Sequence, residues 1–301
     1  MSRIYEALQR AELEGKDILN PQPEQTDEYT FIEGVSEPLP TKAFLDLDDI
    51  TQHQWKPSVL SLPTLTEGGE CVEQFRSLRS QIYMLGLETK MKTILVSSGM
   101  PAEGKTFVAV NLAMSLARNS DHRVLLIDGD LRRPSVHKLL DAPNSPGLAD
   151  YLAGNATPTA ILQRDSTPMM NQNRAARAIA NITFIPAGNC QDNAPEIAGS
   201  HLVEDLIASL SPHFGWIIID SPPALAVTDA VDLARAADAV LLVARGAITP
   251  YATAQRAQAA FSKSRILGFV LNAVKDPPRS KYYYNYYGDP ETGREYMRRK
   301  D

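Results

Sequence analysis

The 301-residue sequence has little cysteine, no long apolar run and no excess of positive charge. Its two cysteines, Cys71 and Cys190, lie far apart without metal-ligand spacing, which excludes a disulfide framework and indicates a reducing compartment. The sequence has no run of about 18 apolar residues, so no membrane-spanning helix is predicted. The first residues also lack the apolar core of a secretory signal. The net charge of −6 gives no reason to expect nucleic acid as a partner. These absences predict a cytoplasmic protein, and they leave room for peripheral attachment to a membrane protein.

The N-terminal part of the chain lacks the pattern of a folded domain. Residues 1–16 space their apolar side chains as a helix does, and so short a helix needs a docking site, either on this chain or on a partner. Residues 17–68 contain six prolines, and residues 21–50 carry eight acidic residues against one basic residue. Because such a stretch buries too little apolar surface to offset its ordering entropy, we predict a mostly disordered acidic linker.

From residue 69 to residue 275 the sequence alternates between short apolar runs and helical patterns. The apolar runs predict strands at residues 93–98, 123–127, 182–186, 216–219, 239–244 and 267–272. Helices are predicted at 72–87, from the loop after the first strand to 118, and at 196–210, 229–237 and 251–263. Residues 165–180 are interpreted as a surface insertion. Several strands are apolar at every position, which predicts an α/β domain with a mostly parallel central sheet flanked by helices in a three-layer sandwich.

A glycine-rich loop follows the first predicted strand. Its residues are Gly99, Met100, Pro101, Ala102, Glu103, Gly104, Lys105 and Thr106, with Phe107 directly after them. They match G-x-x-x-x-G-K-[ST] at every fixed position, between a strand and a helix, which is the context that confirms a P-loop. Backbone N–H groups and the positive end of the helix would hold phosphates, Lys105 would neutralise their charge, and Thr106 would ligate a cation. The loop therefore predicts a P-loop NTPase fold with ATP and Mg²⁺ as cofactors.

Two further strands end in acidic residues. Asp128 and Asp130 follow one apolar run, with Arg132 two residues later, and Asp220 ends another. A single acid at this place often only caps the next turn. Three acids beside a P-loop are better explained as a Mg²⁺ shell and a base, because open α/β sheets bind ligands at the carboxyl ends of their strands.

At these residues the chain resembles the bacterial tyrosine kinases (BY-kinases) of capsule and exopolysaccharide synthesis, which belong to the deviant P-loop ATPases. The segment from Asp128 to Arg132 is similar to the family's second acidic motif, the Walker A′ motif, and the segment around Asp220 to its Walker B motif. Glu73, Arg76 and Arg79 are similar to the E-x-x-R-x-x-R motif of the family. The resemblance implies that this motif mediates contacts between subunits in a ring, although the residues alone would also fit a solvated helix face.

Three other positions bear on the branch of the family. Asn272 matches the position that the resemblance places near the adenine, although an asparagine can also simply end a strand. Met100 stands where partitioning and division-site positioning ATPases carry a signature lysine, which argues against that branch. Ala102 stands where these kinases commonly have glycine, a departure that concerns the geometry of the loop.

The C-terminal residues 276–301 are rich in tyrosine. Six of the eleven tyrosines lie here: Tyr282, Tyr283, Tyr284, Tyr286, Tyr287 and Tyr296. Alone, such a tail could be a docking or stacking segment; beside this P-loop it resembles the autophosphorylated tyrosine cluster of the family. Each phosphotyrosine adds about −1.5 to −2 charges, so we predict that the nearly neutral tail enters a neighbour's site and that the phosphorylated tail leaves it.

These observations together predict transfer of the γ-phosphoryl group of ATP to a tyrosine hydroxyl. We assign Lys105 and the loop amides to the phosphates, and Thr106, Asp220 and Asp128 to the surroundings of Mg²⁺. Asp128 is the candidate base, Asp130 supports the metal or the loop, and Arg132 stabilises charge. The division of roles between the two acids of the Walker A′ motif stays open.

The resemblance also implies partners. They are other copies of the chain, a membrane protein that regulates polysaccharide chain length and activates the kinase, and a phosphotyrosine phosphatase. Two alternatives remain open: a positioning ATPase whose output is ATP-dependent dimerisation, and a nucleotide-binding scaffold of an export complex that performs no phosphotransfer.

Overall fold

The computed structural model describes residues 50–58, 60–66, 68–118, 123–166, 174–189 and 201–274. The predicted N-terminal helix, most of the acidic linker and the tyrosine-rich tail lie outside the described residues. The chain divides into two units between Phe44 and Leu45, and every described residue belongs to the second unit.

An eight-stranded sheet forms the centre of the described domain. Its strands are β1 (Thr51–His53), β2 (Thr93–Ser98), β3 (Val124–Asp128), β4 (Gln163–Asp165), β5 (Ile182–Ile185), β6 (Trp216–Asp220), β7 (Ala239–Arg245) and β8 (Ile266–Asn272). The strand order is β1-β4-β5-β3-β6-β2-β7-β8, and every neighbouring pair is parallel except β4 with β5. The mostly parallel sheet and all six strands predicted from apolar runs are thus confirmed.

Helices cover both faces of this sheet. They are α1 (Glu70–Thr89), α2 (Lys105–Ala117), α3 (Val136–Leu140), α4 (Leu148–Leu152), α5 (Arg174–Ala180), α6 (His201–Leu210), α7 (Asp229–Leu233) and α8 (Tyr251–Ala260). Alternate strand residues enter opposite cores: Ile94 of β2 shares a core with α1 and α2, whereas its neighbour Leu95 shares one with α4 and α6. Within the described residues, no helix is both long enough and apolar enough to cross a bilayer.

The order of the central strands brings the motifs together. β6 lies between β2 and β3, so the strand that ends in Asp220 adjoins both the P-loop strand and the strand that ends in Asp128. In the register of the sheet, Asp128 lies opposite Asp220, and Asp220 lies opposite Val96. The P-loop and both acidic segments therefore meet at the carboxyl edge of the sheet.

The expectation of a mostly disordered linker over residues 17–68 does not hold for residues 50–58 and 60–65. Here β1 pairs with β4, the backbone N–H of Trp55 donates to Asp165 Oδ1 at 2.9 Å, and Leu62 is fully buried. The composition of the linker misled the prediction because a few apolar anchors, spaced among prolines and acids, suffice to pack the segment on the domain.

The segment interpreted as a surface insertion, 165–180, also contains structured residues. β4 ends at Asp165, and α5 buries Ala178 completely in the core that contains α2. The pattern was missed because β4 has three residues and α5 has seven, which is too short for periodicity to separate them from a loop.

Candidate active site

The P-loop joins β2 to α2, and a glycine is required at its last turn. α2 begins at Lys105, and Gly104 precedes it with φ +92°. A Cβ at Gly104 would lie 1.9 Å from Nδ2 of Asn272, which donates to the Glu103 carbonyl at 3.0 Å. Both the backbone conformation and the close approach of Asn272 thus require glycine here.

Lys105 contacts the acidic segment that follows β3. Its Nζ lies 2.9 Å from Oδ2 of Asp130, and both side chains are largely buried. Burial lowers the pKa of Lys105, but the carboxylates of Asp220 and Asp130 outweigh this effect and raise the pKa above its usual value. Lys105 therefore keeps its positive charge, and acidic side chains surround it.

Thr106 contacts the end of β6. Its hydroxyl donates to Oδ2 of Asp220 at 2.6 Å and accepts a hydrogen bond from the Ser135 hydroxyl at 3.1 Å. The other oxygen of Asp220, Oδ1, is buried and has no hydrogen-bond partner among the described residues. Burial raises the pKa of the Asp220 carboxyl to about 8, although the Lys105 ammonium opposes the shift.

Asp128 is fully buried, and backbone amides orient its carboxylate. Oδ2 accepts from the N–H groups of Ser135 and Val136, each at 3.0 Å, and Oδ1 accepts from the N–H of Asp130 at 3.3 Å. Burial raises the pKa of Asp128 to about 6, and the backbone hydrogen bonds limit the rise. The structure thus separates the two Walker A′ acids: Asp130 pairs with Lys105, and Asp128 is held by amides.

Gly129 allows the acidic segments to approach each other. Its N–H donates to the carbonyl of Asp220 at 2.8 Å, and a Cβ at this position would lie 2.8 Å from the same oxygen. A larger residue would therefore push β3 and β6 apart where Asp128 and Asp220 lie side by side.

Arg132 forms an ion pair with a residue that the sequence did not indicate. Its Nε donates to Asp229 Oδ2 at 2.7 Å and its second guanidinium nitrogen, Nη2, donates to Oδ1 at 3.2 Å. The Asp229 side chain is 5% exposed and that of Arg132 is 40% exposed. The pair ties the loop after β3 to the first turn of α7.

Because Asp229 is more buried than Arg132, replacing one partner of this ion pair should lower the free energy of unfolding more than replacing the other. Arg132→Met leaves a buried carboxylate without its counter-charge and should lower the free energy of unfolding by about 2 kcal/mol. Asp229→Asn leaves the more exposed guanidinium in contact with water and should cost about half as much. Urea unfolding of both variants measures the difference. The asymmetry is wrong if Asp229→Asn costs as much as Arg132→Met.

Residues at the end of β8 and beyond the end of β7 contact the P-loop. The Glu103 carboxylate accepts a hydrogen bond from the Met100 N–H at 2.7 Å and another from the Thr249 hydroxyl. Asn272 also lies against the loop, through its hydrogen bond to the Glu103 carbonyl. A cavity of about 560 Å³ opens beside it, lined in part by Phe107, Asn272 and residues of α1.

The E-x-x-R-x-x-R residues lie on α1. Arg76 pairs with Glu73 at 2.8 Å on the partly exposed face of the helix. Arg79 points elsewhere: its Nη1 donates to the carbonyl of Ser115 in α2 at 2.9 Å. Of the three residues, two form a surface ion pair, and the third fastens α1 to its own domain.

The fold and this loop define a P-loop NTPase, and comparison with known proteins agrees. A model of the AAA domain family matches residues 91–254. The chain is 33% identical over 218 residues to the tyrosine-protein kinase YwqD of Bacillus subtilis, which covers 72% of this chain and 86% of that protein.

Two further proteins extend the comparison. The chain is 32% identical over 218 residues to the tyrosine-protein kinase Wzc of Salmonella typhimurium, which covers 72% of this chain but only 28% of that longer protein. The structure resembles the kinase domain of the Escherichia coli tyrosine kinase Etk, with TM-score 0.66 and 28% identity over 77% of this chain and 86% of that one. The chain belongs to the bacterial tyrosine-protein kinases.

Three residues at the site were not predicted: Ser135, Asp229 and Thr249. Each contacts a predicted site residue that is 29 to 146 positions away in sequence. Asp229 begins a predicted helix, where an acid is ordinarily interpreted as a favourable first-turn residue. No spacing rule links these side chains to the P-loop or to the Walker A′ motif.

Proposed function

We propose that the chain uses ATP and Mg²⁺ to phosphorylate the tyrosines of segment 276–301 in a neighbouring copy, and that this autophosphorylation regulates exopolysaccharide or capsule polymerisation and export. The observation that carries the proposal is the pairing at the start of α2. Lys105 donates a hydrogen bond to Asp130, and the next residue, Thr106, donates one to Asp220. The N-terminus of one helix therefore contacts acids at the ends of two neighbouring strands, β3 and β6. Nucleotide binding itself follows from membership of the P-loop class.

The residues present fit a magnesium ion. Buried Oδ1 of Asp220 has no partner among the described residues and lies on the carboxylate that accepts the Thr106 hydroxyl. Nowhere in the described parts of the chain do three His, Cys, Asp or Glu side chains form a metal cluster. Mg²⁺ does not need such a cluster, since it typically binds one or two carboxylates together with phosphate oxygens and water. We assign it to Thr106 and Asp220, with Asp128 nearby, where it would neutralise phosphate charge.

The protein residues then have distinct tasks. The loop amides and Lys105 bind the phosphates, and the N-terminus of α2 favours negative charge at this place. The phenol oxygen attacks the γ-phosphorus, the bond to the β–γ bridging oxygen breaks, ADP leaves, and the phenol proton passes to Asp128. Two backbone amides, from Ser135 and Val136, hold the Asp128 carboxylate in a fixed orientation, which supports a positioned base.

The cavity beside the loop is the candidate place for the adenine. Phe107 and Asn272 both line it, and it has room for a nucleobase. Asn272 already donates one amide hydrogen to the Glu103 carbonyl, so its remaining groups would be available to the base.

Oligomerisation and partners are part of the same proposal. The partly exposed Glu73–Arg76 pair of α1 supports a subunit contact, in which the neighbour's tail reaches the P-loop. Arg79 would support that contact by fastening α1 to α2. A membrane regulator of polysaccharide chain length would activate the kinase and hold it at the inner face of the membrane, and a phosphotyrosine phosphatase would reset it.

Phosphotyrosine mapping tests this function. Full-length protein incubated with Mg²⁺ and ATP should acquire phosphate on Tyr282–Tyr287, because the charge-compensated site accepts a phenol once nucleotide is bound. Mass spectrometry locates the phosphate, and a variant lacking residues 276–301 serves as the control. The activating cytoplasmic segment of the membrane partner is added in a parallel sample.

Other outcomes select the alternatives. ATP-dependent dimerisation without phosphotyrosine, in the presence of the activating segment, would favour a positioning ATPase. Nucleotide binding with neither result would favour a scaffold.

A further inference from the structure

We propose that Thr249 is a positioning residue for nucleotide binding, because its hydroxyl holds the Glu103 carboxylate that shapes the first half of the P-loop. The inference rests on the proposed function only in that the loop binds nucleotide phosphates. It does not require phosphoryl transfer to tyrosine.

The Glu103 side chain bridges the loop from within. Glu103 is 4% exposed, and its Oε2 accepts the Met100 N–H at 2.7 Å across a span of three residues. A buried carboxylate that lacks hydrogen-bond donors is unstable, so each donor that it finds restrains the loop. The Met100 N–H is one such donor, and the Thr249 hydroxyl, on Oε1, is another.

Thr249 can hold Glu103 because it is itself fixed to the sheet. Its Oγ1 accepts the Arg245 N–H at 2.9 Å, and its own N–H donates to the Arg245 carbonyl at 2.9 Å. Since a carboxylate oxygen only accepts, the single hydrogen of this hydroxyl is donated to Glu103. Arg245 ends β7, which pairs directly with the P-loop strand β2, so the restraint originates in the central sheet.

Side chains at the ends of β7 and β8 hold two loop carbonyls on their own side of the loop. The Glu103 carbonyl accepts from Asn272 Nδ2 at 3.0 Å, and the Ala102 carbonyl accepts from Arg245 Nη1 at 3.5 Å. In a trans peptide the N–H points opposite to the carbonyl. The amides of Glu103 and Gly104 therefore point away from β7 and β8, which is the arrangement that a phosphate-binding loop needs.

The test compares three full-length variants. Thr249→Val removes the hydroxyl but keeps the branched shape, and Thr249→Ser keeps the hydroxyl. Thr89→Val is the matched control, since it also removes a hydroxyl hydrogen bond, from Thr89 to the Leu85 carbonyl at the end of α1. Affinity for ADP with Mg²⁺ is measured by calorimetry at constant salt, and thermal unfolding is measured without nucleotide.

We expect Thr249→Val to weaken ADP binding about tenfold, the effect of losing one hydrogen bond to a charged acceptor. Thr249→Ser and Thr89→Val should stay within about twofold of the unaltered chain. A purely structural role would instead lower the unfolding temperature of Thr249→Val and leave the affinity of the folded protein unchanged. Unchanged affinity in Thr249→Val, or equal losses in Thr249→Ser, would overturn the proposal.

A second variant keeps the test decisive if Thr249→Val does not fold. Glu103→Gln preserves the shape of the bridging side chain while removing its charge, and it too should weaken ADP binding. Where both variants fold, their losses should not add in the double variant, because Thr249 acts through Glu103. Additive losses contradict the proposal. If the unaltered chain binds ADP but never forms phosphotyrosine, the kinase proposal fails, but the ADP affinities of these variants still test the role of Thr249.

Discussion

Lys105→Met is expected to abolish tyrosine phosphorylation, with a loss of about a thousandfold or more. Lys105 is the cation that meets the acids at the start of α2, with Nζ 2.9 Å from Asp130 and a pKa held high by Asp220 and Asp130 against the effect of burial. Methionine retains the length of the side chain and removes its charge. The triphosphate would then have to bind beside buried carboxylates without this compensating charge.

The measurement is the initial rate of phosphotyrosine formation at saturating ATP, together with the affinity for ADP. Lys263→Met is the control because it removes the same charge elsewhere: Lys263 is exposed, follows α8 and precedes the start of β8, at the edge of the parallel sheet opposite the P-loop. Asp128→Asn and Asp130→Asn, measured in the same way, separate the two acids. A proton acceptor should lose turnover with little change in ADP affinity, whereas a residue that orients Lys105 should lose both. A fully active Lys105→Met would refute the site assignment.

Gly104→Ala is expected to lower nucleotide affinity about a hundredfold while the domain stays folded. An alanine at φ +92° costs about 1–2 kcal/mol, and its Cβ would lie 1.9 Å from Asn272 Nδ2. Asn272 must then leave the Glu103 carbonyl, which costs about another 1 kcal/mol. The loop that must present its amides to phosphate would lose both its conformation and a supporting contact.

Gly154→Ala provides a matched control for this substitution. Gly154 also has a positive φ, +76°, but nothing lies within 4 Å of the position of its Cβ. It should show the backbone cost in urea unfolding and no change in ADP affinity. If Gly104→Ala binds ADP as the unaltered chain does, the close contact with Asn272 is unimportant for the loop.

Contiguous motifs in the sequence predict most of the residues that the structure brings together at the candidate site. Lys105 and Thr106 were assigned from the P-loop spacing, and Asp128, Asp130 and Asp220 from their places at the ends of apolar runs. The structure brings these five residues to one edge of the sheet, and it separates Asp130, on Lys105, from Asp128, on backbone amides. The spacing of the two acids in sequence could not make that distinction, because it depends on where α2 projects its first side chains.

Predictions from composition were weaker than predictions from motifs. The acidic, proline-containing residues 17–68 have the average character of a linker, yet Trp55 and Leu62 are buried among the residues of the folded domain. A few side chains of such a segment become buried when the segment can pair with the edge of a sheet, and here β1 pairs with β4. An average over many residues does not contain that information.

The sequence by itself determined the class of this protein, since the P-loop, the two acidic segments and the apolar runs are local patterns with a physical meaning of their own. Only the tertiary structure decided which distant residues contact each other there: Asp229 and Arg132, Thr249 and Glu103, and Asn272 and Gly104. Each of these contacts joins segments at or beyond the ends of different strands. Strand order and register create such contacts, and both are properties of the folded sheet as a whole.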